Sequence, residues 1–443
     1  MMNAGKTVFG GMASLLAGLI LGLTVSPASA QYGPVLSGTG PINRSMGGAA
    51  TASPLSASGA LMWNPATLSG LDRSQLDVGA ELLVPQTSIS SAVGPFSGTT
   101  DNQDAVFALP TIALSYRPEQ SPYTFGLGIF AVAGFGLDYP AGAVPTGNPI
   151  LFPQPLGLGP VFSQYQVLQI APALVYDMTE NFSVSVSPLL DLGMAQLDPA
   201  VFADPTGGIY PPGTHSRSAW GGGFSLGSYY KAGNWSFGSS YKSRQWFQAY
   251  QFNTIDALGN PQLAKLNLDL PSTFSVGTSY KGFDRWLLAA DLRYLNFDNT
   301  GSFVDSGFSG TGALRGIGLD SIFVVALGAQ YQMTDALSLR AGYSWNENPI
   351  SNSQTSANAA SPLIIQNTVS LGASYQLSDS FMVSMAYMHC FENSISGPIV
   401  LPGGVVPGSS VTSTAAADSL LIGATVKFGS PKCRAVAPCT TSN

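Results

Sequence analysis

The stretch Asn234-Trp235-Ser236-Phe237-Gly238-Ser239-Ser240-Tyr241-Lys242 sets Trp235, Phe237 and Tyr241 on one side of an extended chain and Ser236, Gly238, Ser240 and Lys242 on the other. Successive side chains of a β-strand point to opposite faces, so this spacing makes one face oily and the other small and polar. Segments of that kind, each roughly ten residues long, recur from Asp72 to Phe428. A closed antiparallel barrel satisfies both faces at once, with lipid outside and water or a plug inside.

Working outward from that stretch, turn signals divide the region into alternately short and long connections. The short ones are Arg117–Pro122, Met178–Asn181, Lys231–Asn234, Lys281–Asp284, Met333–Ala336 and Leu377–Ser380. The long ones, rich in Gly, Pro, Ser and Asn, fall near residues 91–104, 140–162, 198–216, 251–262, 299–316, 346–363 and 393–417. These connections join fourteen strands, and an even count with short turns at one end and long loops at the other is the habit of bacterial outer-membrane barrels. A soluble solenoid or sandwich is the competing architecture. It would guard its edges and outer faces with Lys and Glu, which are scarce here. The expected fold is therefore all-β, a fourteen-stranded antiparallel transmembrane β-barrel.

Composition agrees. Charged residues make up 9% of the chain, against about 25% in soluble domains, so much of the surface meets something other than water. With a formal net charge of −7 and no basic run, nucleic acid is not an expected partner. Residues 1–30 read as a secretory signal: Lys6 gives the positive start, Met12–Val25 the apolar stretch, and Ala28-Ser29-Ala30 the small-residue cleavage site. Of the three cysteines, Cys433 and Cys439 are close enough in the tail to close a small loop in an oxidising compartment, which leaves Cys390 unpaired. Three cysteines and two histidines form no metal-site spacing, and neither metal nor cofactor is expected.

Residues 31–71 have a different character. Gly, Ala and Ser dominate, with the run Gly47-Gly48-Ala49-Ala50-Thr51-Ala52 followed by Ala60-Leu61-Met62-Trp63-Asn64-Pro65-Ala66. Small residues permit close packing, and a segment of this length is too short for a core of its own. It is expected to pack inside the barrel as a hatch. The organisation then reads as a signal peptide (1–30), an N-terminal hatch (31–71), a barrel (72–428) and a C-terminal tail (429–443). Asn64 is the first choice among the hatch residues Asn64, Pro65 and Ala66, because its amide can fix backbone groups in a plug without a ladder.

The small-residue stretch Gly47–Ala52, the triplet Asn64-Pro65-Ala66, the pattern Leu270-Pro271-Ser272-Thr273-Phe274-Ser275-Val276-Gly277 with Tyr280, and Leu339-Arg340-Ala341-Gly342-Tyr343 followed by Pro349 resemble the FadL-like outer-membrane transporters of long-chain fatty acids and other hydrophobic compounds. The resemblance implies a fourteen-stranded barrel with a hatch in its lumen, in accord with the count above. It also implies a third strand kinked inward beside a lateral opening. The third strand here is Tyr123–Tyr139, and Gly134-Phe135-Gly136-Leu137 resembles the place of the kink. Glycine inside a strand often marks a bulge or close approach.

The expected function is passive uptake of long-chain fatty acids or other hydrophobic small molecules. Each buried methylene is worth about 0.8 kcal/mol, so a sixteen-carbon tail held whole would bind by roughly 12 kcal/mol before entropic costs. That is too tight for release, and passage calls for several partial sites. Outer capture is expected at Phe152, Leu156 and Phe202 in the loops. Lys242, Arg244, Arg293 and Arg340 fall on the small-residue faces of their strands and are candidates for an acid head group, with Arg293 also placed to pair with Asp291. Expected partners are a hydrophobic small molecule and the lipid and lipopolysaccharide of the outer membrane, with the chain acting as a monomer. A general diffusion porin competes, but would need no plug and would carry more lumen charge. A hydrolase would need a nucleophile paired with His, whereas His215 lies in a loop and His389 shares the lipid-side alternation of Tyr387. A structural or adhesive barrel is a further alternative. The residues after Phe428 depart from the usual barrel that ends on an aromatic residue.

Overall fold

A computed structural model describes residues 31–103, 106–213, 217–301 and 303–431. The leader 1–30, His215, Cys433, Cys439 and all but the first residues of the tail lie outside the described residues. Fourteen strands form the wall. They are β1 Ser74–Val93, β2 Phe107–Tyr116, β3 Tyr123–Tyr139, β4 Val161–Asp177, β5 Phe182–Asp198, β6 Ala219–Ala232, β7 Trp235–Lys242, β8 Ser272–Tyr280, β9 Trp286–Asn296, β10 Ile322–Gln332, β11 Leu337–Asn346, β12 Asn367–Ser378, β13 Phe381–Gly397 and β14 Ser410–Phe428. Each pairs antiparallel with the next, and β14 closes on β1 from Ser410 opposite Ala92 to Phe428 opposite Ser74. Closure leaves no edge of unpaired amides in lipid, the condition for a sheet to span a bilayer.

The alternation does what the sequence requires of it. In β7, Trp235, Phe237 and Tyr241 are exposed on the outer wall while Ser240 is buried inward. Rings stack along that outer face, as with Trp235 and Tyr280 at 4.6 Å and Trp286 and Tyr331 at 4.8 Å. These sit near the short turns, where amphipathic rings suit a membrane interface.

The expected boundaries need three corrections. The first strand begins at Ser74, two residues after the expected Asp72. The connection placed at 393–417 is only 398–409, because β13 and β14 run on as a paired ladder, and the fourteenth strand starts at Ser410 instead of Leu420. Their outer faces change there from apolar to hydroxyl: Ser394 meets Thr414 at 3.0 Å and Ser396 meets Thr412 at 2.7 Å. A search for large apolar faces stops where the outer face turns to hydroxyls, although the ladder continues. For the same reason two stretches expected to be loop are paired. Phe96–Asp101 folds back on Ser88–Val93, and Tyr250–Ile255 forms a hairpin with Pro261–Leu266 over the mouth.

Residues 31–71 fill the lumen. Gln31–Tyr32 and Val35–Leu36 form a small hairpin, followed by helix α1 (Gly40–Arg44), helix α2 (Ala57–Trp63) and a 3-10 turn at Pro65–Gly70. Nearly every residue of the segment is buried, the small ones as well as the apolar ones. Gly47 and Gly48 show how this is possible. Both hold φ near the left-handed region, at 64° and 85°, and a Cβ on Gly47 would lie 2.7 Å from the carbonyl oxygens of Leu327 and Tyr343 in the wall. Only glycine accepts both the conformation and the approach.

Candidate functional site

The loops enclose an apolar cavity of about 570 Å³ at the outer mouth. Phe152, Leu156 and Leu158 line it from one loop, Val201 and Tyr210 from the next, and Leu314 from a third. Two of the three residues expected to capture substrate, Phe152 and Leu156, are therefore brought together. Phe202 is placed deeper, with its ring 5.0 Å from that of Phe252 in the covering hairpin. Among the described residues, no charged side chain lines the cavity. Burial raises the Tyr210 phenol above its ordinary pKa, and its hydroxyl donates to the Gly312 carbonyl at 2.8 Å.

Below the cavity a column of rings leads to the kinked strand. Phe247 and Tyr250 stack at 6.1 Å, Tyr250 meets Tyr165 of β4 edge-on at 6.1 Å, and Tyr165 lies 5.3 Å from Phe135 of β3. Wall glycines make room for this column. A Cβ on Gly221 would lie 2.7 Å from the Phe247 ring, and one on Gly193 would collide with the Tyr250 hydroxyl.

The column ends where the wall loses a ladder. β2 and β3 pair from Tyr116 opposite Phe125 to Thr111 opposite Phe130, and there the pairing stops. A bulge between Ala131 and Ala133 shifts the register of β3 on β4, after which Val132, Ala133, Phe135 and Leu137 are all buried in place of alternating. Such a bulge bends a strand and re-aims it. Gly134 and Gly136 lie in that inward run, and a Cβ on Gly134 would stand 2.8 Å from the Tyr165 carbonyl oxygen. The edge of β3 facing β2 is met instead by the hatch: Val35 pairs with Ala133, and the Gly134 amide donates to the Pro34 carbonyl at 3.0 Å. Further out, Gln103 donates to the Asp138 carbonyl at 3.0 Å. Among the described residues, the wall between these contacts is a window without β2–β3 hydrogen bonds.

Polar side chains of the wall hold the hatch by its backbone. Asn64 sits at the join of α2 and the 3-10 turn, and its amide nitrogen donates to the carbonyls of Thr51 (2.7 Å) and Ser228 (2.9 Å). Its side-chain oxygen accepts from Ala66 at 3.2 Å. Pro65 opens the 3-10 turn, where its fixed φ is suited to the first position, and Ala66 is fully buried behind it. Asp291 receives the amides of Ala50 (2.8 Å) and Thr51 (2.9 Å), and Arg293 bridges Asp291 (2.6 Å) to the Gly48 carbonyl (2.8 Å) while lying 3.8 Å above the Trp63 ring. Arg293 is thus set against the hatch and away from the outer cavity.

Three anchors escaped the sequence reading. Arg44 of α1 makes a buried two-point pair with Glu81 at 2.9 and 3.1 Å. Asp77 receives the Ser58 amide at 3.0 Å. Arg117, in the first short turn, donates to the Ser69 carbonyl at 2.8 Å, and burial pulls its pKa below the usual arginine value while Asp177 opposes that fall. A signal was present, since Asp77 and Glu81 occupy the small-residue face of β1, where an acid needs a partner.

The other candidate cations are dispersed. Lys242 points inward and donates to Gln169 at 3.4 Å. Arg244 stands at the mouth, paired with Asp269 and donating to the Asn299 carbonyl at 2.8 Å. Arg340 is buried near the short turns and donates to Gln330 (2.7 Å) and Ser374 (2.6 Å). They do not converge on one head-group site. His389 is on the outer wall with its Nδ1 2.8 Å from Asp418, and Cys390 is buried and free.

Residues 19–428 match the family model described as outer membrane protein transport protein (OMPP1/FadL/TodX). The structure resembles a Pseudomonas aeruginosa FadL homologue with a TM-score of 0.69, 17% identity, and coverage of 90% of this chain and 100% of the other. The toluene transporter TodX of P. putida gives 0.64 at 18% identity, covering 88% and 99%, and the Ralstonia pickettii toluene transporter TbuX gives 0.63 at 19%, covering 89% and 99%. No curated protein sequence matches the chain. With a closed fourteen-stranded wall and a family match over most of its length, this chain belongs to the OMPP1/FadL/TodX family of outer-membrane channels for hydrophobic compounds.

Proposed function

We propose that this channel takes up hydrophobic small molecules passively, by capture in the loop cavity, transfer down the ring column and lateral release through the β2–β3 window. The carrying observation is that the column ends at Phe135, beside a stretch of wall whose open edge is covered by the hatch strand at Val35. Withdrawal of that strand and its hydrogen bond from Gly134 would free the window without breaking the barrel ladder. A molecule leaving there enters the outer leaflet, and never has to cross an aqueous lumen as a porin substrate would. Solved relatives described as toluene transporters, and another as a monoaromatic hydrocarbon channel, support the substrate class. Gripping the molecule in stages keeps any single site from binding too tightly to let go. In this reading the chain works as a monomer, with the hydroxyl faces of β13 and β14 standing in the lipopolysaccharide layer.

The test is uptake of labelled hydrophobic compounds by cells with and without the chain, together with a variant lacking Val132. Removing that bulge residue restores the alternation and is expected to abolish uptake while binding in the outer cavity survives. Equal uptake with and without the chain, across several hydrophobic substrates, would sink the proposal.

A further inference from the structure

Among the described residues the outer cavity is lined without a charged side chain, and that bears on what passes along the route. The cavity presents two side-chain hydroxyls, those of Ser356 and Tyr210, and Tyr210 is already engaged with Gly312. Among the described residues it has no cation for an acid head group. Beside the ring column, Asp191 and Asp269 lie within electrostatic range of Tyr165 and Tyr250.

The cations near the column stand beside those acids. Arg244 is paired with Asp269, and Lys242 interacts with Asp191 and donates to Gln169, which also donates to Asp191 at 2.7 Å. Three further arginines are inside the barrel but off the route, of which Arg44 of the hatch is paired with Glu81. Arg293 is clasped to Asp291 and the hatch under the Trp63 ring. Arg340 lies two residues toward the short turns from Gly342, which is covered by Gly47 so closely that a Cβ would collide with its amide, so the hatch separates Arg340 from the column. A carboxylate entering the column would meet Asp191 and Asp269, with Arg244 already paired to Asp269 and Lys242 bonded to the Gln169 that also holds Asp191, in a wall too apolar to solvate it.

We propose that the channel selects uncharged hydrophobic molecules and rejects carboxylates with the same carbon skeleton. This inference rests on the uptake function proposed above and narrows its substrate to hydrocarbons, esters and similar neutral compounds.

The experiment compares cells carrying the full-length chain with empty-vector cells, in a host without its own channel for hydrophobic compounds. Three labelled probes are used: toluene, methyl hexadecanoate and hexadecanoate. The ester and the acid share a chain and differ in charge. The expected result is faster uptake of at least one neutral probe, with the gain for hexadecanoate lower by ~10-fold or more, a small part of what burying an unpaired carboxylate costs. Equal gains for hexadecanoate and its methyl ester overturn the selectivity and leave uptake standing. No gain for any of the three overturns both.

Discussion

At the residue scale, a few buried charges tie the hatch to the wall alongside its apolar packing. Asp291 accepts two hatch amides and the Arg293 guanidinium, so removing it strands a buried cation and two backbone donors. Breaking one partner of such a pair costs about 3–5 kcal/mol. Asp291→Ala is therefore expected to loosen the hatch, read as increased single-channel conductance in a planar bilayer with the barrel still folded by gel mobility. Glu81→Gln is expected to act in the same direction by halving the Arg44 clasp, and its effect should approach additivity with Asp291→Ala, because the two anchors hold different parts of the segment. An unchanged conductance in both variants would mean that packing alone secures the plug. The pairing of Arg293 with Asp291 was readable from their spacing of two on one strand face. Its attachment to Gly48, Ala50 and Thr51 was not, because contacts between distant segments leave no local periodicity.

At the scale of the element, β3 is where local pattern and function diverge. Its extent, Tyr123–Tyr139, follows from the turn signals, and Gly134 and Gly136 mark the stretch that turns inward. The bulge itself falls a little earlier, between Ala131 and Ala133, and among Ala and Val it has no signature residue. The glycines meet a different need, the approach of the Tyr165 backbone. Gly134→Val is expected to disturb the β3–β4 contact and reduce uptake several-fold, checked by the same labelled-substrate assay. An equally large substitution at exposed Leu127, below the bulge, should leave uptake near wild type. The upper halves of β13 and β14 were missed for the opposite reason. Their ladder is regular, but the outer face carries Ser and Thr, so the signal that identified every other strand is missing there while the hydrogen bonds persist. The aromatic column was invisible as well, since Phe135, Tyr165 and Tyr250 belong to different elements and only the fold brings them together.

At the scale of the whole molecule, the barrel and its plug are separable in principle. β14 meets β1 along its full length without using any residue before Ser74. Deleting residues 31–71 is expected to leave a heat-modifiable, folded barrel that passes small hydrophilic solutes which the complete protein excludes, measurable by liposome swelling. If the shortened chain fails to fold, the hatch is part of the barrel's stability as well as its seal. The seam between β14 and β1 has another consequence, for how such a chain is made and how its gene can change. The first strand synthesised must wait for the last before it has both neighbours, so a message cut short before Ser410 yields two raw edges and no smaller working channel. Parity matters too: losing one strand would bring the ends together in parallel, whereas gaining or losing a whole hairpin keeps them antiparallel. Change in the size of this wall is therefore expected to proceed by twos, within the sequence and away from its two ends.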